Sequence, residues 1–371
     1  MSMIVKRSIG PIACVAGLIV LLAGCGGAGQ AGDSPIIISS SGGSGSSGST
    51  SGGGAGSSGG PPPPEPALVL TGPSVAAPDG KQEIYYGQAD GSGLTQLTAD
   101  GRPKFLVHFS PDGRTLLYTK FTRGGYRSAD MQSEVAVFER ATGVETMLTS
   151  GGNWLGPVRS PDGRTIAYTT FDTDALWLMN SDGSDKRVVA RVSGRPDDRH
   201  MSDFLWSRDN WIYFTVEQHI DGCFKVRIDR IRPDGSERTQ ITDGGPHCTP
   251  AGFEQSGDSD PGISPDGLTL YSSRGLPRSV PGHPELTVRH LIRTDTSPWF
   301  PGKPESDLSL GAMEDCIAGV PKVSWDSVRV ALFQFCPDRP EQIGVWMTDP
   351  LGSRYRYLFP GFAPDWNPLV R

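Results

Sequence analysis

The tetrapeptide Ser-Pro-Asp-Gly stands whole at Ser110–Gly113, Ser160–Gly163 and Ser264–Gly267. Eroded copies stand at Ser207–Asn210, Ser324–Ser327 and Ala363–Trp366. Self-similarity at a period of about 40–60 residues marks an array of like units, and nothing else in the chain limits the fold so tightly. The tetrapeptide is a turn former. Proline presets φ at the second position of a type I turn, Asp suits the third, and Gly accepts the fourth.

Strands are expected on either side of it. Arg114–Lys120, Arg164–Thr170 and Trp211–Val216 follow the turn and are rich in β-branched and aromatic residues. Glu134–Arg140, Ala175–Asn180, Phe224–Arg232 and Gln342–Thr348 supply the next strand. Tight turns close it, such as Asp182-Gly183 and Asp234-Gly235, a strong hairpin signal. A last strand ends in Leu97-Thr98, Leu148-Thr149 or Ile241-Thr242. Each unit is thus a four-stranded antiparallel meander, with strands A to D in chain order and the tetrapeptide between A and B. One such sheet cannot bury both faces alone, so the units stack radially. The expected fold is all-β: a six-bladed β-propeller of four-stranded antiparallel blades. Its C–D turns fall near Asp90, Thr142, Asp182, Asp234, Asp295 and Asp349. The first unit lacks a strand A, so the C-terminal strand Phe362–Val370 is expected to supply it and remove the sheet edges.

The run Ser160–Tyr168, followed by Leu176–Val189, resembles the PD40 (WD40-like) repeat of TolB-type six-bladed propellers. The resemblance covers residues 67–371. It implies fold more than function, because the family spans the periplasmic Tol-system protein, the propellers of prolyl oligopeptidase relatives, oligogalacturonate lyases and lipoproteins. The Tol-system protein carries an α/β domain before its propeller. A low-complexity tether stands in that place here.

Residues 1–24 read as a secretory signal: a basic start at Lys6 and Arg7, then the apolar run Ile12–Ala23, short for a membrane span. Leu22-Ala23-Gly24-Cys25 resembles the bacterial lipobox, which implies cleavage before Cys25 and lipidation of its thiol. Two or three acyl chains give a stable membrane anchor. Gly26, rather than Asp, implies the outer membrane, facing the periplasm or the cell surface. The remainder of residues 25–66 is mostly Gly and Ser and ends in a proline run, a flexible tether with a reach on the order of 35 Å. The chain carries a net charge of −7 without a basic stripe, which argues against nucleic acid as a partner.

In an up-and-down meander the A–B and C–D turns share one end, and the B–C and D–A connections share the other. The first set is short. The second holds the insertions: Thr122–Ser133, Arg191–Asp203, Gly244–Gly262, Arg274–Glu285 and Pro301–Gly319. Long loops on a rigid scaffold are where binding usually sits. Candidate contacts on that face are Arg123, Tyr126 and Arg127 in one loop, Asp197, Arg199 and His200 in another, and His247 and His283. Cys223 starts a strand C and Cys248 lies beyond its strand D, while Cys316 precedes a strand A and Cys336 ends a strand B. Topology therefore pairs Cys223 with Cys248 and Cys316 with Cys336, as an extracytoplasmic location permits.

A catalytic set does not emerge. The tetrapeptide serines lack a nucleophile-elbow context, and their Asp neighbours are expected to bond within the turn. Oligogalacturonate lyases hold a divalent cation with several His and a Gln. His108, His200, His219, His247, His283 and His290 show no short ligand spacing. The acids Glu254, Asp258 and Asp260 lack a 12-residue calcium-loop pattern. Trp177, Trp206, Trp211 and Trp346 are expected in the core. The expected protein is a lipid-anchored, non-catalytic envelope propeller without a cofactor, binding a protein or glycan at the long-loop face. A metal-dependent polysaccharide lyase, with a divalent cation, and a purely structural module are the alternatives.

Overall fold

The structure, a computed structural model, describes residues 65–72, 82–124, 130–170, 175–191, 198–220, 223–244, 257–311 and 313–370. The signal segment, Cys25 and the tether therefore lie outside the described residues. Among those described, the strands form three four-stranded sheets and one twelve-stranded sheet, whose three antiparallel units are joined by single parallel bridges at Val226–Gly257 and Arg289–Ile317. Along the chain, the first unit holds β1 (Leu68–Gly72), β2 (Glu83–Gly87) and β3 (Thr95–Gln96). The second holds β4 (Lys104–Phe109), β5 (Thr115–Arg123), β6 (Gln132–Glu139) and β7 (Glu145–Met147). The third holds β8 (Trp154–Arg159), β9 (Thr165–Thr170), β10 (Ala175–Asn180) and β11 (Arg187–Arg191). The fourth holds β12 (Asp198–Trp206), β13 (Ile212–Ile220), β14 (Cys223–Ile231) and β15 (Thr239–Gln240). The fifth holds β16 (Gly257–Ile263), β17 (Thr269–Val280), β18 (His283–Asp295) and β19 (Glu305–Asp307). The sixth holds β20 (Ile317–Val323), β21 (Val330–Phe335), β22 (Gly344–Thr348) and β23 (Arg356–Phe359). Finally β24 (Phe362–Trp366) pairs antiparallel with β1.

The motifs of the sequence do specific work in these sheets. In each whole tetrapeptide the serine hydroxyl donates to the Asp two residues on, as in Ser110–Asp112, Ser160–Asp162 (both 2.6 Å) and Ser264–Asp266 (2.5 Å). The same hydroxyl accepts the N–H that opens the next strand, 2.9 Å from Thr115, Thr165 and Thr269. The Leu-Thr ending has its own role. Thr98, Thr149 and Thr242 accept the N–H of Ile84, Val135 and Ile228 on the neighbouring strand, at 2.9–3.0 Å. A side chain thus completes the ladder where the outer strand stops.

Packing between units follows from the two apolar faces of each sheet. Val69 and Ile84 of the first unit pack on Val107, Leu116 and Tyr118 of the second. Val135 of the second meets Ile166 and Tyr168 of the third. Leu176 and Leu178 meet Met201 and Phe214 of the fourth. Tyr213 and Ile228 meet Leu270 of the fifth, and Tyr271 and Leu291 meet Leu332 and Trp346 of the sixth. Ala331, Val345 and Phe359 of the sixth pack on Leu68, Leu70 and Trp366 of the first. A further cluster crosses the centre, with Phe362 between Phe105 (6.0 Å) and Phe333 (5.1 Å). The first strands touch in turn, from β4 through β8, β12, β16, β20 and β24 back to β4. Where the fourth and fifth units meet, a Cβ on Gly257 would lie 2.0 Å from the Val226 carbonyl oxygen, so only glycine fits.

One device was invisible in the sequence. Every inner strand carries a left-handed residue four positions before its turn residue: Leu106, Gly156, Asp203, Asp260, Val320 and Ala363, with φ between 49° and 57°. Each coincides with a register slip against the next strand, so each is a bulge that bends the strand. Apart from the glycine these residues resist this conformation, Val320 most of all, so the surrounding packing holds them there.

The structure corrects several expectations. Ala363–Trp366 is not a turn but the body of β24. The turn is Asn367–Val370, whose Asn367 Oδ1 accepts the Leu369 N–H at 3.0 Å. Arg274–Glu285 is not an open loop, because β17 and β18 extend through it as a hairpin. His200, His219 and His283 lie on strands, not in loops.

Two bulges place carboxyls against the axis. Burial, with the charge of Asp260, pushes the Asp203 pKa up, and burial does the same to Asp260 against the pull of Arg289. Such a carboxyl adds stability below its unfolded pKa of about 3.9 and loses it as pH rises through the folded value. Asp203→Asn is therefore expected to melt higher than wild type at pH 7.5, with the gap narrowing towards pH 4 in paired thermal melts. Trp366→Ala should cost about 3–5 kcal/mol in denaturant unfolding, because a buried indole that ties β24 to the sixth unit is lost.

Candidate functional site

The inner strands all end at one rim, and the tetrapeptide turns follow directly. Together they line a cavity of 470 Å³. The cavity thus opens at the end that carries the short A–B turns, opposite the long loops. Its walls are Trp206, Trp325, Trp366 and the prolines Pro111, Pro161, Pro265 and Pro368. Its charged lining is Arg159, Arg208, Lys322, His108 and Asp365.

The indoles are fixed before any ligand arrives. Trp206 Nε1 donates to Asn210 Oδ1 (2.9 Å), Trp325 Nε1 to the Trp366 carbonyl (3.1 Å), and Trp366 Nε1 to the Lys322 carbonyl (2.8 Å). Arg208 of the fourth unit lies over the Trp325 ring of the sixth at 4.3 Å. Rigid aromatic surface costs little entropy on binding.

The electrostatics are set by burial. It lowers the pKa of Lys322, against the attraction of Asp365, Asp260 and Asp203. It lowers the pKa of His108 too, helped by the Lys322 charge. Asp365 accepts the Phe109 N–H at 2.9 Å and faces His108 Nδ1 at 3.6 Å. Arg159 Nε is buried without an acceptor among the described residues. Deeper in, Arg289 donates to Ser273 Oγ (2.8 Å) and to Ser259 Oγ.

Chemically, this set can bind but has no assembled nucleophile. Ser160, Ser207 and Ser264 reach the cavity, yet each hydroxyl donates to its own turn Asp at 2.5–2.6 Å. Among the described residues no hydroxyl is bonded to His108.

The candidates drawn from the sequence fare differently. Arg123 is exposed and pairs with Asp130 at 3.3 Å. His200 lies on β12 opposite Glu217, and His283 packs edge-on against Phe335 at 5.4 Å. These three belong to different units. Arg199 lies on β12. Tyr126, Arg127, Asp197, His247 and Cys248 lie outside the described residues, as does Glu254. Asp258 is buried in a two-point pair with Arg274 (both 2.8 Å). His290 is held by Asp307 (2.6 Å) and the Glu314 carbonyl (2.8 Å). The sulfurs of Cys316 and Cys336 stand 2.07 Å apart, with Cα atoms 4.4 Å apart. Cys223 begins β14, as expected.

Sequence reasoning missed the cavity; Trp206, expected in the core, packs against a core cluster and also lines the cavity. A signal was present. Two of the eroded tetrapeptides carry Arg208 and Trp325 where the whole copies carry proline. Both residues face the cavity.

No family model matches the chain. A protein TolB homolog of Chlorobium chlorochromatii (strain CaD3) is 29% identical over 136 residues, which is 34% of this chain and 29% of that protein. The match thus spans under a third of the relative's length. TolB from Acinetobacter baumannii superposes with a TM-score of 0.59 at 14% identity, over 81% of this chain and 66% of that one. A putative TolB from Agrobacterium tumefaciens gives 0.51 at 19% identity, over 74% and 90%. A chain of a nidogen/laminin complex gives 0.56 at 11% identity, over 81% and 98%. With its four-stranded units, recurrent turns and these relatives, the chain adopts the TolB-like β-propeller fold.

Proposed function

We propose that this chain is a non-catalytic interaction scaffold of the cell envelope, which binds a protein segment in the funnel ringed by the tetrapeptide turns. The units form a six-bladed ring sealed by β24 beside β1. Lipid on Cys25 tethers that ring to the outer membrane through the flexible stretch that follows. The observation that carries the reading is the funnel itself: a 470 Å³ concavity whose indoles are locked by hydrogen bonds. Concave sites with rigid apolar walls and a few convergent polar groups are the usual form of a binding site. That a propeller of similar shape was solved in a nidogen/laminin complex is consistent with a protein partner. The funnel is preferred to the long-loop face because its lining is described in full and its indoles are held by hydrogen bonds.

The polysaccharide-lyase alternative gains nothing from the described histidines, since His108, His283 and His290 each have a different neighbour. The Cys316–Cys336 disulfide staples the start of the sixth unit's inner strand. Closing a loop of 20 residues adds about 3 kcal/mol in the chain-entropy picture.

Photo-crosslinkers at the exposed Leu369, next to the cavity-lining Pro368, and at Arg123, on the long-loop side, test the site in cells. Leu369 is expected to capture a discrete protein that Trp325→Ala releases. Capture at Arg123 alone would move the site to the other face. Peptide mapping of the mature protein under non-reducing conditions should return a diacylglyceryl Cys25 and a linked Cys316–Cys336 pair. An unmodified Cys25 would remove the anchor from the proposal.

A further inference from the structure

The charge of the funnel runs against the charge of the protein. The chain carries −7, yet the cavity is lined by the cations Arg159, Arg208 and Lys322 against one carboxylate, Asp365. His108, the remaining titratable lining group, is held neutral by burial and by the Lys322 charge. A positive concavity on a negative surface focuses anions.

Asp365, Asp260 and Asp203 attract Lys322, and Asp112 attracts Arg159, but none of them closes an ion pair with either. Asp365 is already engaged by the Phe109 N–H and faces His108. Among the described residues no carboxylate forms an ion pair with Arg159, Arg208 or Lys322. Arg159 makes one long contact, Nη1 to the Gly163 carbonyl at 3.4 Å, and its buried Nε has no acceptor. Its guanidinium is thus only weakly engaged by the protein and lines the cavity. Arg208 is positioned by stacking on Trp325, which leaves its fork of donors for a ligand.

We propose that the funnel takes a peptide segment bearing acidic side chains. Arg159, Arg208 and Lys322 receive its carboxylates, and the indole and proline walls take its flanking apolar atoms. This rests on the funnel being the partner site. The walls favour a peptide over an acidic sugar. A polyhydroxylated chain needs many side-chain donors and acceptors, whereas the indole N–H groups here are already bonded inward.

The test uses the purified full chain, with tryptophan fluorescence and calorimetry as readouts. The probe is hexaglutamate with both ends blocked, and hexaglutamine and trigalacturonate are the comparators. Saturable hexaglutamate binding that weakens with added salt is expected. It should fall about tenfold or more in Arg208→Glu and in Lys322→Met, a loss of about 1.4 kcal/mol. Hexaglutamine should not bind. Arg208 is exposed, so Arg208→Glu decides the outcome should Lys322→Met melt early. No saturable binding, equal binding of hexaglutamine, indifference to Arg208→Glu, or binding of trigalacturonate alone would each overturn the proposal. A partner captured at Leu369 without hexaglutamate binding rejects the charge inference only. Capture at Arg123 alone rejects the site.

Discussion

A twisted four-stranded sheet has two apolar faces, and this chain buries both by setting each sheet against the next. The contacts of Leu176 with Met201, of Tyr271 with Leu332 and of Val345 with Leu68 belong to separate core clusters, yet they repeat one arrangement. The rest depends on it. Sheets that pack face to face and twist in one sense must fan about an axis. Their first strands then crowd together, and their shared ends leave a concavity.

Crowding at the axis explains the bulges. A straight strand cannot stay paired with its own sheet while turning past its neighbours, and one left-handed residue provides the bend. Its side chain then faces the centre. In one sector that centre is greasy, with Phe105, Phe333 and Phe362. In another it is charged, with Asp203, Asp260 and Arg289. The apolar sector joins Phe362 of β24 to Phe105 of β4 and Phe333 of β21. The charged sector lies towards Lys322 and the funnel, where buried groups polarise a ligand more strongly than surface groups would.

Departures from the repeat, rather than the repeat itself, mark the funnel. Pro111, Pro161 and Pro265 do the same work in three units: they preset a turn and show an apolar ring to the cavity. Where Arg208 and Trp325 replace proline, the turn survives because the serine–aspartate bond still holds it, as Ser207–Asp209 (2.5 Å) and Ser324–Asp326 demonstrate. The position is then free to carry chemistry. The backbone task and the recognition task are separable within four residues.

Local chemistry in the sequence determined the turns, the strands between them and the Leu-Thr endings. The turn bonds join residues two to five positions apart and the Leu-Thr bonds join residues 14 apart within one unit, so periodicity and composition reveal them. The neighbourhood of Cys316 and Cys336 was legible for a related reason, since adjacent strand ends follow from meander topology. Other features were decided by the tertiary structure alone. The bulges at Leu106 and Val320 have no glycine to announce them, and Ala363–Trp366 resembles a turn until the partners of β24 are known. Arg208 meets Trp325, and Lys322 meets His108, across units far apart in the chain. Such contacts depend on how sheets fan about an axis, and no local pattern of residues encodes that angle.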